Sequence, residues 1–185
     1  EFRRVLFRSN LKADEALYPG HIFENCYALT SLNLGNLAFS KSNNLDSMFK
    51  NCYSLKSINL EKFKTSELTS MSSMFENCGN LISLNLSIFD THNVLDMSYA
   101  FSNCSSLETL LVDNFDTQNV KNMQNMFAYC TKLTTLDIRS FVTTDVENLE
   151  NMFENDEGLE LYMNYKTCAN LKAILPEYIN AHDVS

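Results

Sequence analysis

Apolar residues in this chain recur with a period of 26 residues, and the period runs without insertion or deletion through most of the sequence. The most regular position is a phenylalanine, found at Phe23, Phe49, Phe75, Phe101, Phe127 and Phe153. A second phenylalanine position runs through Phe63, Phe89, Phe115 and Phe141. A repeat this short cannot bury its apolar side alone, so successive repeats must stack as coils around a shared core.

Within each repeat the pattern predicts one strand and one helix. Leu84-Asn85-Leu86 alternates apolar and polar residues, as a short strand with one buried face does. From Val94 to Phe101 the apolar residues are spaced by three and four, which favours one or two turns of helix, with Asn93 as the cap. The sequence therefore predicts an α/β solenoid in which every coil contributes a short parallel strand and a short helix.

The ends of the chain depart from the repeat. Residues 1–9 do not fit it, and they resemble the translation of a sequencing adapter, so they are set aside as an artefact. Residues 10–175 are expected to form a single solenoid of about six coils with degenerate ends, because end coils must shield the core. In the sixth repeat, Asp156 stands where cysteine belongs and Tyr162 where leucine belongs. Residues 176–185 are expected to be a C-terminal tail.

Composition excludes several classes of function. The formal net charge is −9, which argues against nucleic acid as a partner because an acidic surface repels phosphates. No apolar run approaches the ~18–20 residues that a membrane span needs. The sequence shows no catalytic set, paired core carboxylates or glycine-rich phosphate loop, so neither enzymatic activity nor a cofactor is expected.

A cysteine column accompanies the first phenylalanine column. Its members are Cys26, Cys52, Cys78, Cys104 and Cys130. Stacking places these side chains side by side with parallel directions, which favours a structural ladder of buried free thiols. One or two disulfides between coils remain an alternative. A metal site is disfavoured because the thiols do not converge tetrahedrally on one point.

An acidic segment lies near the end of the repeats. Residues 145–160 contain acidic side chains and no lysine or arginine, which indicates a solvated cap. A calcium-binding edge is the alternative, although Asn155-Asp156-Glu157-Gly158 lacks the spacing of a calcium loop. No metal is expected here.

The outward face of the predicted strands is the best candidate for recognition, since solenoids bind through extended faces. One column on this face consists of Asn33, Asn59, Asn85, Leu111 and Asp137. The next is more variable and consists of Gly35, Glu61, Ser87, Asp113 and Arg139. The asparagines have an alternative role as a structural ladder bonded up and down the stack, whereas the variable column favours contact with a partner.

Two copies of the repeat carry a resemblance to a known family. Phe89-Asp90-Thr91-His92-Asn93-Val94 and Phe115-Asp116-Thr117-Gln118-Asn119-Val120 follow a Phe-x-Asn-Cys-x-x-Leu run at the same spacing, and in the first copy Met74 precedes that run. This pattern resembles the 26-residue repeat of bacterial surface proteins, which is related to the BspA-like branch of leucine-rich repeats. The resemblance covers roughly residues 22–153. It implies a leucine-rich-repeat-like fold, without catalytic residues, on secreted, lipid-anchored or wall-anchored proteins.

Three functions remain open at this point. The leading one is a non-enzymatic adhesion or interaction module, displayed on the cell surface, that binds a protein or polysaccharide through its solenoid face. A second is a passive spacer that projects another domain. A third treats the outward Ser, Thr and Asn columns as a polar lattice for a repetitive ligand such as a polysaccharide or ice.

Overall fold

The computed structural model describes residues 19–34, 42–61 and 63–185. The adapter-like segment 1–9 and Gly35 of the variable column lie outside these ranges. Within them, the chain winds as the expected stack of coils. None of its helices is both long enough and apolar enough to cross a membrane.

Each coil contributes one short strand to a wall that we call the strand wall. The strands are β1 Ser31–Asn33, β2 Ser57–Asn59, β3 Ser83–Asn85, β4 Thr109–Leu111, β5 Thr135–Asp137, β6 Glu160–Met163 and β7 Asn180–Asp183. Paired strands are parallel, and Leu84 of β3 lies opposite Leu110 of β4, one period away. Leu84 is buried between exposed neighbours, so the period-two alternation predicted the strand correctly.

The strand wall is not one continuous sheet. Its strands form three parallel sheets, β1–β2, β3–β4 and β5–β6–β7. Between β2 and β3, and between β4 and β5, the described strands share no ladder. The register of the stack across these two boundaries must therefore be held elsewhere.

The opposite side of each coil, which we call the turn wall, holds that register. It comprises residues 44–52 and the equivalent stretches one period apart, ending at 148–156. Isolated parallel bridges join Asn44 to Ser70, Ser70 to Asp96, Asp96 to Asn122 and Asn122 to Asn148. The N–H groups of Leu45, Ser47, Phe49 and Asn51 donate to the carbonyls of Ser70, Ser72, Met74 and Glu76 in the next coil at 2.8–3.0 Å. Intervening N–H groups bond back three residues, as Cys52 does to Phe49 at 3.1 Å.

The predicted short helix is therefore wrong in the repeated coils. Within Val94–Phe101, Tyr99 has a φ of 57°, a left-handed conformation that an α-helix cannot contain. The predicted cap is also wrong, because the side-chain amide of Asn93 donates to the carbonyl of Ser66 in the preceding coil. The spacing of three and four arises instead from consecutive turns.

Left-handed residues recur throughout the turn wall and explain how its N–H groups reach the next coil. They are Ser47, Asn51, Ser73, Asn77, Tyr99, Asn103, Asn125, Tyr129, Asn151 and Asn155, with His21 and Asn25 in the first coil. Asparagine tolerates this conformation better than most residues with a side chain. Up to Tyr129, each such residue donates its N–H to a carbonyl of the next coil, and this bond offsets the backbone strain.

One coil uses a different residue to cap its turn. Asp96 accepts the N–H of Ser98 two residues on at 2.8 Å, as Asn122 does for its own coil. The equivalent residue Ser70 is shorter, and Asp46 of the preceding coil accepts the N–H of Ser72 in its place at 2.9 Å.

The core consists of side-chain columns, as the repeat predicted. Phe75, Phe101 and Phe127 stack with ring centroids 6.1 and 5.6 Å apart, and interplanar angles of 10° or less. In the second column, Phe63 and Phe89 lie 5.9 Å apart. Every one of these rings is at least 97% buried, and such a ring contributes about 1.5–3 kcal/mol of transfer free energy.

The C-terminal end differs from its prediction in two ways. The expected tail 176–185 contains β7, which pairs in parallel with β6 and ends the sheet. In the sixth repeat Leu161, not Tyr162, pairs with Leu136 and is buried, because the coil is one residue shorter there. Tyr162 points outward and stacks on His182 with centroids 4.8 Å apart.

A helix and a tyrosine complete this end. Helix α1, Ala169–Ile174, stands where the other coils have turns. The hydroxyl of Tyr178 accepts the N–H of Asn155 and donates to the carbonyl of Phe153, each at 3.2 Å. In the preceding coil the N–H equivalent to that of Asn155 donates to a carbonyl of the next coil. Tyr178 therefore replaces the next-coil carbonyl at one N–H of the turn wall.

Candidate binding surface

The predicted asparagine column lies on the outer side of the strand wall, where two of its members close turns within their own coil. Asn59 accepts the N–H of Glu61, and Asn85 accepts the N–H of Ser87, both at 3.0 Å. These are turns closed by the asparagine side chain, which end each strand at the same place. The alternative that these side chains bond up and down the stack is therefore wrong for Asn59 and Asn85.

The same arrangement recurs at Asp137, in the fifth strand. Asp137 accepts the N–H of Arg139 at 3.1 Å and pairs with its guanidinium at 2.6 Å. Burial raises the pKa of Asp137, but its bonds to Arg139 outweigh this and the net shift is downward. Asp113 and Leu111 are exposed, and so is Asn33. The columns thus form one surface of alternating charge, amide and apolar groups.

Exposed apolar side chains interrupt this surface on β4 and beside the boundary between β2 and β3. Leu111 is 42% exposed beside Asn85, its lateral partner in the register. Next to it, a cleft of about 350 Å³ opens at the boundary between β2 and β3. The cleft is lined by Ile58, Asn59, Leu60, Glu61, Asn85 and Ile88. Ile88 is 46% exposed, so an apolar side chain of the cleft is in contact with water in the free protein.

A true amide ladder exists on the turn wall, at positions that the sequence analysis did not single out. The side-chain Nδ2 of Asn51 donates to Oδ1 of Asn25, that of Asn77 to Asn51, and that of Asn103 to Asn77, at 2.7–2.8 Å. We call these four residues the amide column. Each follows a core phenylalanine by two residues and has left-handed φ. In the sequence, the sign of this ladder was an asparagine recurring two residues after each core phenylalanine of these coils.

The cysteines of this column follow one another along the stack with free thiols. From Cys52 to Cys130, each Sγ donates to the carbonyl of the phenylalanine one coil earlier, for example Cys78 to Phe49 at 3.3 Å and Cys104 to Phe75 at 3.2 Å. All cysteines are free, although Cys26 in the first coil is only half-buried. Burial raises the pKa of the Cys104 thiol, which keeps it protonated and unreactive. The column is therefore packing and hydrogen bonding.

The last position of that column carries a carboxyl group. Asp156 is 2% exposed, and neither carboxyl oxygen has a hydrogen-bond partner among the described residues. Burial raises its pKa to about 8, and the nearby backbone of Cys130 offsets this only in part. Within residues 19–34, 42–61 and 63–185, no three His, Cys, Asp or Glu side chains are grouped to hold a metal. The acidic segment 145–160 therefore offers no described site for calcium.

Buried threonines form a further set of bonds that the sequence analysis missed. The hydroxyl of Thr91 donates to the carbonyl of Asp116 and accepts its N–H at 2.9 and 2.8 Å. Thr117 bonds to Val142 of the next coil in the same way. In the sequence, the only sign of this role was the Phe-Asp-Thr motif, which occurs after the strand in two of the repeats.

Comparisons with known proteins agree with the repeat. The family described as "Mycoplasma protein of unknown function, DUF285" matches residues 20–108 and 79–174. This confirms the repeat family expected from the motif. A leucine-rich repeat protein from Bacteroides ovatus is similar in structure at 17% identity, with a TM-score of 0.46. That similarity covers 79% of this chain and 42% of the length of the Bacteroides protein. Curated proteins gave no match.

Proposed function

Because the chain belongs to the DUF285 repeat family, whose function is unknown, we propose that it is a non-enzymatic interaction module displayed on the cell surface. The strand wall binds the partner, and the partner is a protein. The observation that carries this proposal is the cleft between β2 and β3, together with the exposed apolar side chains of Ile88 and Leu111 among the polar columns.

Binding there requires little rearrangement. The asparagine and aspartate side chains that end the strands are held by their own turns, so the polar rim is preorganised. Ile88 lines the cleft between β2 and β3, where a partner's side chain can enter and exclude water, and Leu111 is exposed on the neighbouring strand β4. Apolar anchors within a polar rim are typical of protein interfaces.

Several features support a stable scaffold rather than a catalyst. Burial raises the pKa of thiols such as Cys104, whose Sγ donates to the carbonyl of Phe75. The Asp137–Arg139 pair is exposed and contributes little to stability, so it is available to set the charge that a partner meets.

The proposal is tested with two matched variants. Leu111→Asp places a charge on the strand wall, and Leu95→Asp places one on a different wall, where Leu95 is 51% exposed. Purified proteins are tested by biolayer interferometry against fibrinogen, fibronectin, laminin and collagen. We expect binding to at least one, lost in Leu111→Asp and kept in Leu95→Asp. No binding to this panel or to an array of other surface proteins would favour the spacer function instead. Equal loss in both variants would also overturn the proposal.

Surface display has its own test. Protease treatment of intact cells should cleave the full-length protein, detected with an antibody against the repeats, while a cytoplasmic marker stays intact. Protection until the cells are lysed would refute surface display.

A further inference from the structure

Two exposed tyrosines stack beside the amide column, away from the strand wall. The rings of Tyr27 and Tyr53 lie with centroids 5.5 Å apart and an interplanar angle of 11°. They are 55% and 46% exposed, so this stack belongs to the surface and not to the core. The hydroxyl of Tyr53 reaches Oδ1 of Asn51 in the amide column at 3.3 Å.

The next position in this column is Gly79, one period after Tyr53. Nothing in the backbone requires glycine there, because Gly79 does not have left-handed φ. A Cβ at Gly79 would make only ordinary contacts, the nearest with Oγ of Ser105 at 3.5 Å. The missing side chain therefore leaves uncovered the face of Tyr53 that points away from Tyr27.

The open position is a slot with defined walls. Coils are spaced by about 4.8 Å, so the slot can take one ring in the place that a third tyrosine would occupy. Tyr53 forms one side of it, and the hydroxyl of Ser105 in the following coil lies on the other. The Asn51 amide lies beside Tyr53, whose hydroxyl reaches its Oδ1, and the Asn77 amide donates to Asn51 two residues before Gly79 along the chain.

The polar groups at this slot are suited to hydroxyl groups. Each amide of the column uses one N–H for the carbonyl oxygen of the previous amide, and an –NH₂ group has a second N–H to donate. The Ser105 hydroxyl donates to the carbonyl of Gly79 at 3.5 Å, and its oxygen has lone pairs with which to accept. The face of an aromatic ring is partly negative and attracts the polarised C–H groups that cover one face of a pyranose.

We propose that the slot formed by Tyr53 and Gly79 binds one pyranose ring of a neutral polysaccharide. The sugar stacks on Tyr53, while its hydroxyl groups bond to the Asn51 and Asn77 amides and to Ser105. The net charge of −9 disfavours anionic polysaccharides. An aromatic side chain from a protein is a poorer occupant, because amide and hydroxyl groups would lose water without gaining partners.

This site is separate from the strand wall, so its test is independent of the function proposed above. Gly79→Tyr fills the slot without removing Tyr53 and should extend the existing stack. Tyr53→Ala removes the platform, whereas Tyr53→Phe keeps the ring. Tyr129→Ala, at another exposed tyrosine, is the control. Circular dichroism and thermal melting confirm that each variant is folded.

The probes are a neutral glycan array and, by isothermal titration calorimetry, cellohexaose, chitohexaose and mannohexaose. We expect the wild type to bind at least one probe. Affinity should fall about tenfold or more in Gly79→Tyr and Tyr53→Ala, which corresponds to about 1.4 kcal/mol, and should change little in Tyr53→Phe and Tyr129→Ala. Unchanged binding in Gly79→Tyr would overturn the proposal. So would the absence of any neutral glycan bound by the wild type, or binding of aromatic peptides alone at this slot.

Discussion

The carboxylate of Asp46 accepts hydrogen bonds from the hydroxyl of Ser70 and the N–H of Ser72, both in the next coil. In two later coils this N–H is capped by an aspartate or asparagine of the same coil. Asp46 thus supplies the acceptor that Ser70 is too short to provide. Asp46 therefore compensates, across the boundary between two coils, for the short side chain of Ser70.

We expect Asp46→Ala to destabilise the protein by about 1–3 kcal/mol, because the half-buried Ser72 N–H loses its acceptor. Ser70→Asn restores a cap of the kind that Asn122 provides, so adding it to Asp46→Ala should recover most of the loss. Urea unfolding of the two single variants and the double variant measures the coupling. A double variant no more stable than Asp46→Ala would contradict this account.

The buried carboxyl of Asp156 should make stability depend on pH. The pKa of Asp156 is about 8 in the folded protein and near 3.8 when exposed. Between these values the unfolded chain releases the proton and the folded chain keeps it, so stability falls as pH rises from about 4 to 8. We expect Asp156→Cys, which extends the thiol column, to melt several degrees higher at pH 8 and to lose this dependence. Melting curves from pH 4 to 9 test it, with exposed Glu157→Gln as the control. Parallel pH profiles for wild type and Asp156→Cys would disprove the role of Asp156.

The thiols should be protected in the folded protein and free in the unfolded one. Alkylation followed by mass spectrometry should label Cys26 first, because it is only half-buried. Cys52, Cys78, Cys104 and Cys130 should react only after denaturation, without reductant. Protection should persist at pH 9, since burial raises the pKa of thiols such as Cys104. Recovery of disulfide-linked peptides from the native protein would refute the free-thiol ladder.

Deleting one whole period should leave a shorter folded solenoid. Removal of 76–101 joins Phe75 to Ser102 in the same register, so the thiol, amide and phenylalanine columns close over the gap. Removal of 76–88 joins Phe75 to Phe89 and brings unlike positions together. We expect a cooperative melt after the first deletion and loss of cooperativity after the second, measured by circular dichroism. Identical behaviour of the two proteins would rule out stacking in register.

The period predicted the stack, the strands and the phenylalanine and cysteine columns, because each depends only on which side chains must be buried. The consecutive turns of the turn wall could not be predicted from burial alone. An apolar spacing of three and four, as from Val94 to Phe101, is the same for a helix and for consecutive turns. The distinction lay in residues such as Ser73 and Asn77, which precede and follow Phe75 by two and tolerate left-handed φ. The slot at Gly79 could not be predicted from the apolar pattern either, because it arises where glycine has no side chain.

The left-handed residues of the turn wall direct their N–H groups one way, since those of Ser47, Asn51, Ser73 and Asn77 all donate to carbonyls of the coil that follows. Along this row of bonds, one end of the stack presents donors and the other presents acceptors, so two copies could continue the row only head to tail, as in a filament. The hydroxyl of Tyr178 already occupies one of these donors, the N–H of Asn155, from within the same chain.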